Sequence, residues 1–132
     1  MIPEPIQKWH KIFKERDYAG LEEILADDVA FHSPVVHTPQ EGKKITTAYL
    51  TAAFQLLGGE KANYIREVYG ENDAILEFNT EAEGIIINGV DMIRWNDEGK
   101  IVDFKVMIRP LKAVNQVHQM MGTLLAQMSK KL

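Results

Sequence analysis

Between Tyr64 and Ile108 four β-rich segments, "YIREVYG", "AILEFNTEA", "IIINGVDMIRW" and "KIVDFKVMI", are separated only by the turns "END", "EG" and "NDEG". Branched and aromatic residues suit a pleated surface, and turns this short join strands that run antiparallel. The chain must therefore build a meander. Ahead of it, Ile6, Trp9, Ile12 and Phe13 recur at steps of three and four between Pro5 and Arg16, the spacing of an amphipathic helix. A short second helix fits "DYAGLEEIL" with Asp17 as its N-cap, "DDVAFHSP" is a strand stopped by Pro34, and "VVHTPQEG" reads as loop. Lys43 to Leu57 is a third helix, ended by Gly58-Gly59. After the meander, Pro110 opens a closing helix with an apolar stripe through Leu111, Val114, His118, Met121, Leu125 and Met128. Helices first and a meander later predict an α+β domain, a curved antiparallel sheet wrapped around helices.

With 132 residues the chain makes one domain, 1–132, with 45% hydrophobic and 26% charged residues. Net charge is −4 and the Lys and Arg residues are scattered singly, which argues against nucleic acid as a partner. No cysteine occurs, so disulfides, thiolate metal sites and thiol nucleophiles are excluded. The N-terminus becomes charged too early for a signal peptide, and no apolar run is long enough to cross a bilayer. A cytoplasmic protein with no membrane partner is expected.

One residue in the meander conflicts with its surroundings. Asp91 sits in the middle of "NGVDMIRW", where it is either a solvated strand residue or a carboxyl held inside. In the following strand Val102, Phe104, Val106 and Ile108 alternate with Asp103, Lys105 and Arg109, so the first set points inward. If Asp97-Glu98 form a two-residue turn, Asp91 lies opposite Phe104 on the inner face. If Gly99 forms a one-residue bulge, the register slips and Asp91 faces Lys105 outside. Alternation leaves both registers open.

The element order, "LEEILADDVAFHSPVV" and "GVDMIRWNDEGKIVDFKVMIRP" resemble the nuclear-transport-factor-2-like superfamily, nearest to the ketosteroid isomerases and the small polyketide-cyclase-like (SnoaL-like) proteins. The resemblance covers Ile6 to about Val114. It implies a cone-shaped sheet, a cystatin-like roll, whose wide end is closed by helices and holds a small apolar ligand; here a C-terminal helix is added. It also implies that Asp91 faces the pocket, in the place of the aspartic acid that stabilises an enolate oxygen. The isomerases' tyrosine on the first helix is Trp9 here, and their carboxylate base is Ser33. Trp9 keeps one N–H donor, whereas Ser33 is no base near neutral pH without a partner. A ketosteroid isomerase is therefore not predicted.

The expected function is binding of a hydrophobic or aromatic small molecule, with cofactor-free isomerisation or cyclisation by proton transfer as the catalytic form. A non-catalytic binding or dimerisation module is the alternative. Asp91 is the central catalytic candidate, with Trp9 assisting and His37, in the loop over the pocket mouth, as a base titrating near neutral pH. Phe13, Phe31, Ser33, Phe54 and Phe78 are expected in the ligand-binding wall. Ile93, Phe104, Val106 and Ile108 complete it. His32 should point away from the pocket, opposite in face to Phe31 and Ser33. Arg109 either anchors the corner between strand and helix or clamps an anion at the rim. The histidine spacing is not that of a metal site, so neither metal nor cofactor is expected. Ile75, Met107 and Arg94 lie on a sheet face that no helix covers, which predicts a homodimer.

Overall fold

The computed structural model describes residues 1–130 of the chain; the last two positions of the expected domain lie outside the described residues. Helices α1 (Glu4–Glu15) and α2 (Tyr18–Ile24) precede strand β1 (Leu25–His32). A two-residue strand β2 (Gln40–Glu41) leads into α3 (Lys43–Leu57). The meander follows as β3 (Asn63–Tyr69), β4 (Asp73–Ala82), β5 (Ile85–Trp95) and β6 (Ile101–Arg109), and α4 (Leu111–Lys130) closes the chain. The result is α+β: a curved, unclosed six-stranded sheet in the order β2-β1-β6-β5-β4-β3, with helices on its inner side.

The meander strands pair antiparallel throughout, while β1 lies parallel to β6 and takes β2 antiparallel on its outer edge. "VVHTPQEG" was expected to be loop only. Gln40 and Glu41 nonetheless pair with Phe31 and Ala30, an interaction two polar residues cannot announce by alternation. Local signals place the helix ends. Asp17 accepts a hydrogen bond from the Gly20 N–H at 3.1 Å, and Arg16 closes α1 in the left-handed conformation, φ 53°.

The register between β5 and β6 settles where Asp91 points, and it is neither of the two simple alternatives. Asn96 pairs with Lys100 around a loop in which Gly99 takes φ 77°, and the Asn96 side chain accepts from the Glu98 and Lys100 N–H groups at 3.0 Å each. That loop alone would put Asp91 opposite Lys105, outside. Next to it, however, Trp95 pairs with Ile101 and Arg94 with Asp103, so Val102 is an extra residue on β6. The two offsets together restore the inward face. Asp91 pairs with Val106, not with Phe104 as expected, and Phe104 instead pairs with Ile93. The same extra residue explains why Ile101 is fully buried while Val102 is only half-buried.

Packing forms two clusters. The larger joins Trp9 and Ile12 of α1 to Leu50 and Phe54 of α3 and to Phe31 and Phe104 of the sheet. Phe78 belongs to the smaller one, with Ile87, Ala113 and Val117; Tyr64 and Val106 pack against both. The buried line of α4 is Ala113 and Val117, with Met120 and Met121 packed beside them. Leu111, by contrast, is 74% exposed and His118 is exposed. Two neighbouring helical stripes are both apolar here, and the sheet selects the one whose small Ala113 permits close approach. No helix among the described residues is long and apolar enough to cross a membrane.

Gly89 sits where the clusters meet β5. A Cβ there would lie 2.6 Å from the Phe78 ring, 2.7 Å from the Met107 carbonyl oxygen and 2.8 Å from the Ile108 side chain. The backbone contact cannot rotate away. Gly89→Ala should therefore lower unfolding free energy by about 2 kcal/mol in urea denaturation, with the slope against denaturant unchanged.

Candidate functional site

Asp91 lies mid-strand on β5, only 7% exposed, between Leu76 of β4 and Val106 of β6. A row of hydrogen bonds ends on it. The Trp9 indole N–H donates to the Tyr64 hydroxyl at 2.8 Å, and that hydroxyl donates to Asp91 Oδ2 at 2.5 Å. Three elements, α1, β3 and β5, thus meet through three side chains. Aromatic contacts fix the donors: the Trp9 ring is 5.3 Å from Phe54 and 4.9 Å from Phe104, and Tyr64 is 4.9 Å from Phe13.

Burial governs the proton equilibria here. Loss of water around the charged form raises the Asp91 pKa from 3.8 to about 7, against the lowering effect of the Tyr64 hydrogen bond. Tyr64 is pushed well above its usual 10, first by burial and then by the negative charge of Asp91. Tyr64 therefore stays protonated and acts as a donor. It is the one side chain that hydrogen-bonds to Asp91 among the described residues, and it does so on one carboxyl oxygen.

A cavity of about 60 Å³ adjoins Asp91. Phe13, Phe54, Phe78, Phe104 and Val106 line it with Trp9 and Tyr64. A second cavity, about 30 Å³, lies beneath α4 and is lined by Phe31, Ser33 and Ile108 among others. Ala53, Leu57 and Val106 form the wall between the two. Ile93 is buried but lines neither; it supports Phe104 from the neighbouring strand.

The remaining candidates stand apart from Asp91. His37 is exposed in the loop after β1 and lines neither cavity. Ser33 accepts a hydrogen bond from the Val35 N–H at 3.1 Å, which makes it a turn-forming residue. The Trp9 N–H, expected to serve a ligand, is occupied by Tyr64. His32 lies away from both cavities with Asp103 at 2.8 Å, and Arg109 reaches Asn88 at 3.4 Å. Tyr64, which bonds to Asp91 and lines the cavity, is the residue that sequence reasoning missed. Its strand is an edge with an irregularity between Tyr64 and Arg66, so alternation does not report which way Tyr64 points. Among the described residues no three acidic or histidine side chains gather as a metal site.

The raised pKa is also a statement about stability. The folded protein holds the Asp91 proton up to about pH 7, whereas the unfolded chain releases it near 3.8. Stability from this group is complete below pH 3.8 and is lost as pH rises through 7, at about 1.4 kcal/mol per pH unit inside that window. Asp91→Asn, which keeps an acceptor for Tyr64, should flatten that slope. Denaturation at several pH values on both proteins measures the difference.

The SnoaL-like domain family matches residues 6–104. No curated protein matches the chain. Among solved structures, a steroid delta-isomerase from Pseudomonas aeruginosa superposes with a TM-score of 0.90 at 31% identity, over 96% of this chain and 92% of that one. A protein conserved in bacteria with a cystatin-like fold, from Silicibacter pomeroyi, gives 0.85 at 28% identity over 91% of this chain and 84% of that one. An epoxide hydrolase/cyclase-like enzyme, SalBIII, of pyran ring formation in salinomycin gives 0.66 at 16% identity, covering 80% and 88%, and shares the fold alone. With the family matched from the first turn of α1 to Phe104 on β6, across every residue of the Trp9–Tyr64–Asp91 row, the chain belongs to the SnoaL-like domain family.

Proposed function

We propose that the protein binds a hydrophobic small molecule bearing a carbonyl or enol oxygen and moves a proton on it without a cofactor, as an isomerase or cyclase does. The observation that carries this is Asp91: a carboxyl at the wall of an apolar cavity, with one oxygen held by Tyr64 and a pKa near 7. At neutral pH both of its forms are populated, the condition under which one group serves as acid and base in turn. As carboxylate it takes a proton from the carbon beside the ligand's carbonyl; the C–H electrons pass to the carbonyl oxygen as an enolate. As acid it returns that proton to another carbon, and the carbonyl re-forms. Tyr64 stays protonated throughout and steadies the carboxylate, and Trp9 orients Tyr64. The likeness to a steroid delta-isomerase supports an isomerisation of this type.

One observation favours binding without catalysis. Among the residues lining the cavity, Asp91 and Tyr64 alone are ionisable, so no second carboxylate divides the acid and base roles. Deuterium exchange separates the two readings. Small apolar ketones incubated in heavy water should gain deuterium beside the carbonyl, at a rate that rises as pH passes 7. Asp91→Asn should bind the ketone within about threefold of the parent yet slow the exchange by about 100-fold or more. Binding with no exchange above buffer in the parent protein would leave the binding module as the function.

A homodimer through the outer sheet face is part of the proposal. Val68, Ile75 and Met92 are cross-strand neighbours there, and Met107 pairs with Val90 beside them; Val68, Ile75 and Met107 are between 41% and 59% exposed. An apolar sheet face left open on a monomer is unusual. Sedimentation should give a dimer at micromolar concentration, and Ile75→Lys with Met107→Lys should give a folded monomer. A monomeric parent protein would refute the dimer.

A further inference from the structure

The cavity at Asp91 is too small for most ligands, but it shares Phe13, Ala62 and Tyr64 with an open cleft of about 640 Å³ beside α1. A molecule lying in both would have its apolar end at Asp91 and its other end in the cleft. The two ends meet different chemistry. Lys14 and Arg16 line the cleft, and neither forms an ion pair among the described residues. Arg16 caps α1 in the left-handed conformation, and its guanidinium lies where a side chain on Gly59 would be, 2.5 Å from the position of a Cβ. Gly59 itself takes φ 109°.

Two acids share the cleft. Glu67 accepts a hydrogen bond from the Tyr69 hydroxyl at 2.7 Å on one oxygen, and its other oxygen lies 2.9 Å from His10 Nε2. Glu60 is exposed, and Glu60 and Glu67 are the acids that share the cleft with Lys14 and Arg16. The Lys14 ammonium and the Arg16 guanidinium have no ion-pair partner among the described residues and stay open to an anion. A planar guanidinium matches a carboxylate through two parallel hydrogen bonds.

We propose that the cleft holds the carboxylate of an amphiphilic ligand whose slender, oxygen-bearing apolar end enters the cavity, so that the ligand is an oxo acid and not a neutral ketone. This rests on the proposed role of Asp91 and adds the ligand's second anchoring point. A cavity of about 60 Å³, with room for a few methylene groups, selects a linear chain over fused rings.

The probe is octanoic acid carrying a ketone on its penultimate carbon, compared with its primary amide, which has the same shape without the charge. Binding is followed by the NMR shift of the Trp9 indole N–H at low ionic strength. The acid should bind about tenfold more tightly than the amide, and added salt should shrink that gap. Arg16→Gln and Lys14→Gln, both at exposed positions, should each weaken the acid about threefold and leave the amide unchanged. Glu60→Gln should strengthen the acid. Equal binding of acid and amide would overturn the anionic anchor while leaving the cavity's role intact. No Trp9 response to either compound would overturn both.

Discussion

A carboxyl group withdrawn from water must find hydrogen bonds or give up its charge, and the interior of this protein is arranged around that requirement at Asp91. Burial pushes its pKa up by far more than the single Tyr64 hydroxyl pulls it down. Tyr64 is itself buried and needs both a donor and an acceptor, which Trp9 and Asp91 supply from opposite sides. Trp9 is among the largest fully buried side chains, and Phe54 and Phe104 pack on its ring. The polar row is thus enclosed in aromatic packing that joins α1 to the sheet. Loss of the middle hydroxyl would strand the Trp9 N–H and leave Asp91 with no partner, a larger penalty than one neutral hydrogen bond is worth in water.

The inward direction of Asp91 depends on two irregularities and not on regular pairing. The loop closed by Asn96 and Lys100 shifts β6 by one residue, and the extra residue Val102 shifts it by one more. Either alone would put Asp91 outside with Lys105. Alternation could therefore offer both faces for Asp91 and choose neither, because side-chain direction depends on the sum of offsets and each offset is a local backbone event. The resemblance of the chain to isomerase relatives pointed to the correct face while implying the wrong partner. An even total shift preserves the face and changes the neighbour.

Most of the fold was legible because it rests on periodicity. The third helix, from Lys43 to Leu57, and all four meander strands follow patterns that local sequence records. What escaped has a common cause. The β1–β6 parallel pair, the two-residue β2, the buried line of α4 and the pointing of Tyr64 are set by which surfaces meet across long stretches of chain. His37 looked well placed because its loop follows Phe31 and Ser33, but the turn built on Ser33 and Pro34 carries it out to solvent. Nearness along the chain was mistaken for nearness in space.

The Asp91 cavity is small because the interior around it is partitioned. Ala53, Leu57 and Val106 divide the interior, α4 covers the far half, and Phe13 and Tyr64 stand between the near half and the cleft. Of the two aromatic side chains that line both spaces, Tyr64 is the one that also holds Asp91. In the proposed function, displacement of Tyr64 by a ligand would therefore be coupled to the proton affinity of Asp91. A ligand oxygen that accepts a hydrogen bond from protonated Asp91 stabilises the neutral acid, so it raises the pKa further and binds more tightly as pH falls through 7. A ligand that draws Tyr64 away acts in the same direction, because it removes the one contact that favours the charged form. Both effects favour loading of the site with the acid form. In the proposed reaction the carboxylate that takes the proton from carbon would then have to form after binding, by losing its own proton first.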